Sequence, residues 1–99
     1  MRKVIISDIV QQRIKELECY LVDELKLSEE AALKRSRRMR IYIASLGNPM
    51  TFHALCRFKR WRALGYRCTV FEKSWVFAYE IFDNGVIIRD MSHTATLLE

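Results

Sequence analysis

The chain has 99 residues, is 51% hydrophobic and carries a formal net charge of +5. That length supports one domain with one modest core, spanning residues 1–99, and the apolar content argues against disorder. No apolar run approaches the ~18 residues that cross a bilayer. The first residues turn acidic at Asp8, too early for a secretion signal, so a soluble cytoplasmic protein is expected.

Residues 3–7, Lys-Val-Ile-Ile-Ser, are short, apolar and β-branched, and predict a first strand. Ser7 or Asp8 then caps a helix, and Asp8 with Gln11 three places on has the form of a capping box. Val10, Ile14, Leu17, Leu21 and Leu25 follow at helical spacing as one apolar stripe. Ser28 is a good N-cap for a second helix, with Glu29 and Glu30 at the positive end of its dipole. Ala32, Ser36, Met39, Ile43 and Leu46 form the stripe of that helix, and Gly47-Asn48-Pro49 ends it, with Gly47 suited to a left-handed cap. So short a turn between two helices predicts an antiparallel hairpin.

Residues 50–64 fit either period and are read as a short helix or irregular connector. From Tyr66 the period becomes two. Tyr66 to Phe71 reads as a strand, and Trp75 to Phe82, nearly apolar throughout, as a central one. Asp83-Asn84-Gly85 is a hairpin turn in which Asn and Gly accept positive φ, and Val86 to Met91 returns antiparallel. The expected class is α+β: an N-terminal strand, then an antiparallel helical hairpin packed on a mostly antiparallel sheet.

Cys19, Cys56 and Cys68 form neither a C-x-x-C pair nor a finger spacing with His53 or His93. Three reduced, mostly buried thiols are expected, with no metal and no cofactor.

Charge is unevenly distributed. From Ala31 to Phe71 there is no Asp or Glu, while Lys34, Arg35, Arg37, Arg38, Arg40, Arg57, Lys59, Arg60, Arg62 and Arg67 fall in that stretch. So concentrated a field suits a polyanionic or acidic partner. Within Arg57-Phe58-Lys59-Arg60-Trp61-Arg62 the cations alternate with aromatics, which can bind nucleic acid or can anchor Phe58 and Trp61 in a core while the charges stay wet. Arg57, Lys59, Arg60, Arg62, Arg35 and Arg38 are the candidate target-binding residues. Arg67 and Arg89 could meet on one face of the sheet and hold a phosphate or acidic residue, or pair across strands with Glu80 or Asp90. Glu80, if buried, needs a partner, and Arg67 is the obvious one. His93, expected beyond the last strand, is a candidate acid or base.

Several features together resemble the RelE/ParE toxin superfamily over nearly the whole length. They are a capped helix directly after the first strand, Tyr66-Arg67 opening the second strand, Tyr79-Glu80-Ile81 near the end of an aromatic-apolar strand, and a hairpin leading through Val86-Ile87-Ile88-Arg89-Asp90-Met91 to His93. The resemblance implies the toxin of a bacterial type II toxin–antitoxin pair, held inactive by a cognate antitoxin protein. One branch of the family cleaves messenger RNA on the ribosome, and here Arg67, Arg89, His93 and Glu80 would be the catalytic set. The other inhibits DNA gyrase by binding. Phe71 and Val76 stand where the nuclease branch carries basic residues, and neither Arg nor Tyr follows His93, so the resemblance leans to the ParE-like branch. A fold relative acting only as a protein- or nucleic-acid-binding module is the third expectation.

Overall fold

The computed structural model describes residues 3–48 and 53–96. Five strands form one sheet in the order β1-β5-β4-β3-β2: β1 Lys3–Ile6, β2 Ala54–Leu55, β3 Arg67–Phe71, β4 Trp75–Phe82 and β5 Gly85–His93. β1 runs parallel to β5 and every other pairing is antiparallel. The near-continuous apolar strand β4 takes the middle, as its composition predicts. The fold is α+β, with α1 Asp8–Asp23 and α2 Glu29–Ala44 packed on one face.

Val10, Ile14, Leu17 and Leu21 on α1 and Ala32, Ser36, Met39 and Ile43 on α2 are buried, as their spacing requires. They meet Phe77, Tyr79, Val86, Ile88 and Met91 from the sheet. Each buried Val, Leu, Ile, Phe or Met side chain among them contributes about 1.5–3 kcal/mol over an exposed one. Ser36 lets the helix approach closely, and its hydroxyl donates to the Leu33 carbonyl at 3.0 Å, so no polar atom is orphaned. Arg40 of α2 donates to Gln11 Oε1 of α1 at 2.7 Å, joining the end of one helix to the start of the other.

Several local expectations change. Leu25 lies past the end of α1 and is 51% exposed, so it is not part of the stripe. Ser7 is the N-cap of α1, but it makes no capping bond with its side chain; the hydroxyl donates to the Arg89 carbonyl at 3.3 Å, and Gln11 serves Arg40 instead of a capping box. Ser28 does cap α2, accepting from Ala31 N at 3.1 Å. α2 tightens into a 3₁₀ turn at Ser45–Gly47 with Gly47 buried and not left-handed, and Pro49 lies outside the described residues. The β4–β5 turn forms at Asp83-Asn84 without positive φ at Asn84. Left-handed residues occupy the β3–β4 turn instead, at Glu72 (φ 50°) and Lys73 (φ 63°).

Residues 53–64 hold both readings at once. β2 pairs with β3, and α3, Lys59–Ala63, packs on the sheet face opposite the hairpin. Trp61 is 1% exposed in a second small core with Cys56, Val76 and Ala78, while Arg57, Lys59, Arg60 and Arg62 are exposed, as the alternation suggested. Residues 49–52 lie outside the described residues.

The thiols differ from expectation. Cys56 and Cys68 form a disulfide, their Cα atoms 4.8 Å apart: the β2–β3 register sets Ala54 opposite Cys68, and Cys56, two residues on, reaches it diagonally. Cys19 is free and exposed, not buried. No helix among the described residues is long and apolar enough to cross a membrane.

Candidate functional site

Strand parity separates the residues that could have formed a nuclease set. Thr69 and Phe71 face the hairpin, where Tyr42 on α2 accepts from Thr69 Oγ1 and donates to the Val70 carbonyl. Arg67 shares their parity, and its guanidinium donates to the His53 carbonyl at 3.3 Å. Glu80 sits between Tyr79 and Ile81, which both pack toward the helices, so it faces the other way. A β-bulge between Ala78 and Tyr79 leaves Arg89 without a cross-strand partner residue in the register, and Arg89 Nε donates to Glu80 at 2.7 Å. Arg67 and Arg89 therefore lie on opposite faces and do not meet. The partner of Glu80 is Arg89, not Arg67, so the cross-strand ion pair is the alternative that holds.

The same bulge turns Asp90 toward α1, where Arg13 donates to its carboxylate and to the Met91 carbonyl. His93 is the last residue of β5 rather than beyond it, opposite Trp75, with ring centroids 5.1 Å apart and nearly perpendicular planes. Its Nδ1 accepts from Ala95 N–H at 3.1 Å, which puts the proton of the neutral ring on Nε2.

His53 makes a contact the sequence did not suggest. Its Nδ1 lies 2.8 Å from the Tyr79 hydroxyl, beneath Arg67 in the strand register. Burial pushes the Tyr79 phenol up to about 12; the Tyr42 phenol adds to the rise and Arg67 opposes it.

What does converge is a cleft of about 680 Å³ at the end of the sheet where β4 begins and β5 finishes. Three basic side chains reach it from three helices: Arg13 from α1, Arg35 from α2 and Arg60 from α3. His93 and Trp75 form one wall, Tyr20 stands at the rim, and Leu17, Leu21 and Met91 supply apolar floor. Arg13 is engaged by Asp90, whereas Arg35 and Arg60 pair with no carboxylate among the described residues. Arg60 instead lies over the Trp61 ring, 5.6 Å from its centroid. Glu16 is the acidic residue in the lining. A concave surface with an apolar floor and two guanidinium groups that have no carboxylate partner among the described residues has the chemistry to hold an acidic or phosphorylated group that also carries apolar surface.

Of the sequence candidates, Arg35, Arg60 and His93 therefore share one site. Arg38 pairs with Glu72 at 3.1 Å at the β3–β4 turn. Arg57, Lys59 and Arg62 stay on the surface outside the cleft lining, and Arg67, Glu80 and Arg89 lie elsewhere on the sheet. Arg13, Tyr20 and Trp75 were not singled out in the sequence, where the first two read as ordinary positions on a helix. Among the described residues, no group of three or more His, Cys, Asp or Glu side chains gathers as a metal site.

Compared with models of known protein families and with curated proteins, the chain matches none.

Proposed function

We propose that this chain is a RelE/ParE-like toxin of a bacterial type II toxin–antitoxin pair that works by binding, gripping an acidic surface of a DNA machine such as gyrase in the cytoplasm. The observation that carries this reading is the meeting of Arg35 and Arg60 in one cleft, with no carboxylate partner among the described residues, while Arg67, Glu80 and Arg89 are spread over two faces of the sheet. Cleavage by a ribose 2′-oxygen needs a base, an acid and cations around one phosphate. Binding needs only the convergent charge and the apolar floor. The element order β-α-α-β-α-β-β-β, with the hairpin on one face, is compatible with the family resemblance. A cognate antitoxin would neutralise the toxin by covering the same cleft with an acidic, apolar segment.

A ribosome-dependent messenger RNA endonuclease is the second reading, and one observation favours it: His93 shares the cleft with Arg13, Arg35 and Arg60, and its Nε2 proton could pass to a phosphate oxygen. Controlled induction in a bacterial host separates the two. The expected result is growth arrest with altered plasmid supercoiling and intact messages, lost in Arg35→Glu/Arg60→Glu and kept in His93→Gln. Cut messages, abolished by His93→Gln, would establish the second reading. Full growth at high soluble expression would leave a fold relative that only binds a partner.

A further inference from the structure

The segment that brings Arg60 to the cleft combines little regular structure with one covalent bond. α3 has five residues, too few to be stable as an isolated helix. Arg57, just before it, and Lys59, Arg60 and Arg62 within it place four like charges in six residues. β2 offers only two paired residues, Ala54 with Cys68 and Leu55 with Arg67, and both β2 residues are exposed. Beyond these, Cys56 N donates to the Tyr66 carbonyl at 3.1 Å and Trp61 fills a small core. The Cys56–Cys68 bond closes this loop at its base and belongs to the same core as Trp61.

We infer that the Cys56–Cys68 disulfide is a redox control on the cleft, and the inference rests on the reading of the cleft as the partner-binding site. Oxidised, the bond holds residues 56–68 as a closed loop and keeps Arg60 at the cleft beside Arg35. Reduced, the loop keeps the short β2–β3 ladder and the packing of Phe58, Trp61 and Tyr66 but loses its covalent closure, so α3 opens more often and the fraction of molecules with a complete cleft falls.

The chemistry is thiol–disulfide exchange with a dithiol reductant. A reductant thiolate attacks Sγ of Cys68, the less buried partner, forming a mixed disulfide while Cys56 leaves as a thiolate. The second reductant thiol attacks the mixed disulfide, frees Cys68 and closes the reductant's own S–S bond. Two electrons pass to the protein, and its two thiolates take up the two protons the dithiol gives up.

The test uses the full chain with Cys19→Ser, so that the exposed third thiol takes no part in exchange. Oxidised protein, protein reduced with dithiothreitol and the Cys56→Ser/Cys68→Ser variant are compared by amide hydrogen exchange and by binding of fluorescein-labelled oligoglutamate. Reduction and the double variant should each speed exchange across residues 57–66 by ~tenfold or more, leave α1 and β5 unchanged, and raise the Kd by ~threefold or more. Equal exchange in the oxidised and reduced forms overturns the inference, as does faster exchange with an unchanged Kd. Failure to form the bond in a glutathione redox buffer, read by alkylation and mass spectrometry, also overturns it. The oxidised Arg35→Glu/Arg60→Glu variant monitors the underlying reading. If it binds the probe as well as its parent does, the cleft reading fails, and exchange alone then decides whether the bond controls α3.

Discussion

Arg89 Nε lies 2.7 Å from Glu80 Oε1, on the sheet face turned away from the helical hairpin, and it is the bulge in β5 that brings them together. Both side chains keep about a third of their surface in water (38% and 31%), so the pair is screened. Glu80→Gln should cost no more than about 1 kcal/mol in urea unfolding. It should also leave the outcome of the induction assay the same as for the parent chain. A changed outcome in a variant that folds normally would make Glu80 a functional residue.

Tyr79 supplies the pH dependence. Its phenol is raised to about 12 in the folded chain, above its ordinary value of 10.0. Between those values the folded state holds a proton the unfolded state has released. The stability tied to the neutral phenol is therefore complete below pH 10 and is lost as pH rises through about 12. Ultraviolet titration of Tyr79→Phe against the parent should remove the highest-titrating tyrosine. A difference spectrum showing that the lost tyrosine titrates near 10 would contradict the buried phenol. The same variant removes the hydrogen bond to His53 and should cost about 1 kcal/mol at neutral pH.

The β3–β4 turn carries avoidable strain. Lys73 adopts a φ of 63°, and its bond to Thr94 is made through its backbone carbonyl, which a glycine would keep. Lys73→Gly should raise stability by about 1 kcal/mol, measured as a higher urea midpoint at constant slope. A destabilised variant would show that the side chain contributes more than the left-handed backbone costs.

Gly85 has the opposite requirement. A Cβ there would stand 3.1 Å from the Lys3 carbonyl, a backbone atom that moves only if β1 moves. Gly85→Ala should cost about 1–2 kcal/mol and speed amide exchange in Lys3–Ile6 more than in β4. Unchanged protection of β1 would indicate that the edge accommodates the methyl group without shifting.

Much of this fold is legible in the sequence because local periodicity carries it. Val10, Ile14, Leu17 and Leu21 could serve only one helix face, and the apolar run through β4 could lie only in the middle of the sheet. Leu25 continued the same spacing, but the helix had already ended at Asp23, and periodicity cannot register where a helix stops. Register was the information the sequence lacked. The 12-residue separation of Cys56 and Cys68 says nothing until β2 and β3 are aligned. Alternation alone leaves open whether Arg67 and Arg89 meet on one face or pair with Glu80 or Asp90, and a one-residue bulge near Arg89 is not visible in any spacing. The cleft was legible as a list of cations, not as a site, because Arg35, Arg60 and His93 come from three elements far apart in the chain.

The parallel pairing of β1 with β5 has a consequence for how the molecule forms. Lys3 and Gly85 are register partners across 82 positions of chain, so closing that pair carries a large loop-closure entropy and no local turn can nucleate it. On a ribosome, β1 emerges before β5 and cannot form this pairing until β5 has been made. The helical hairpin can collapse early, but the sheet it covers is completed only after the last strand is synthesised. Refolding should accordingly show slow protection of Lys3–Ile6 relative to α1, with the first strand made the last to lock.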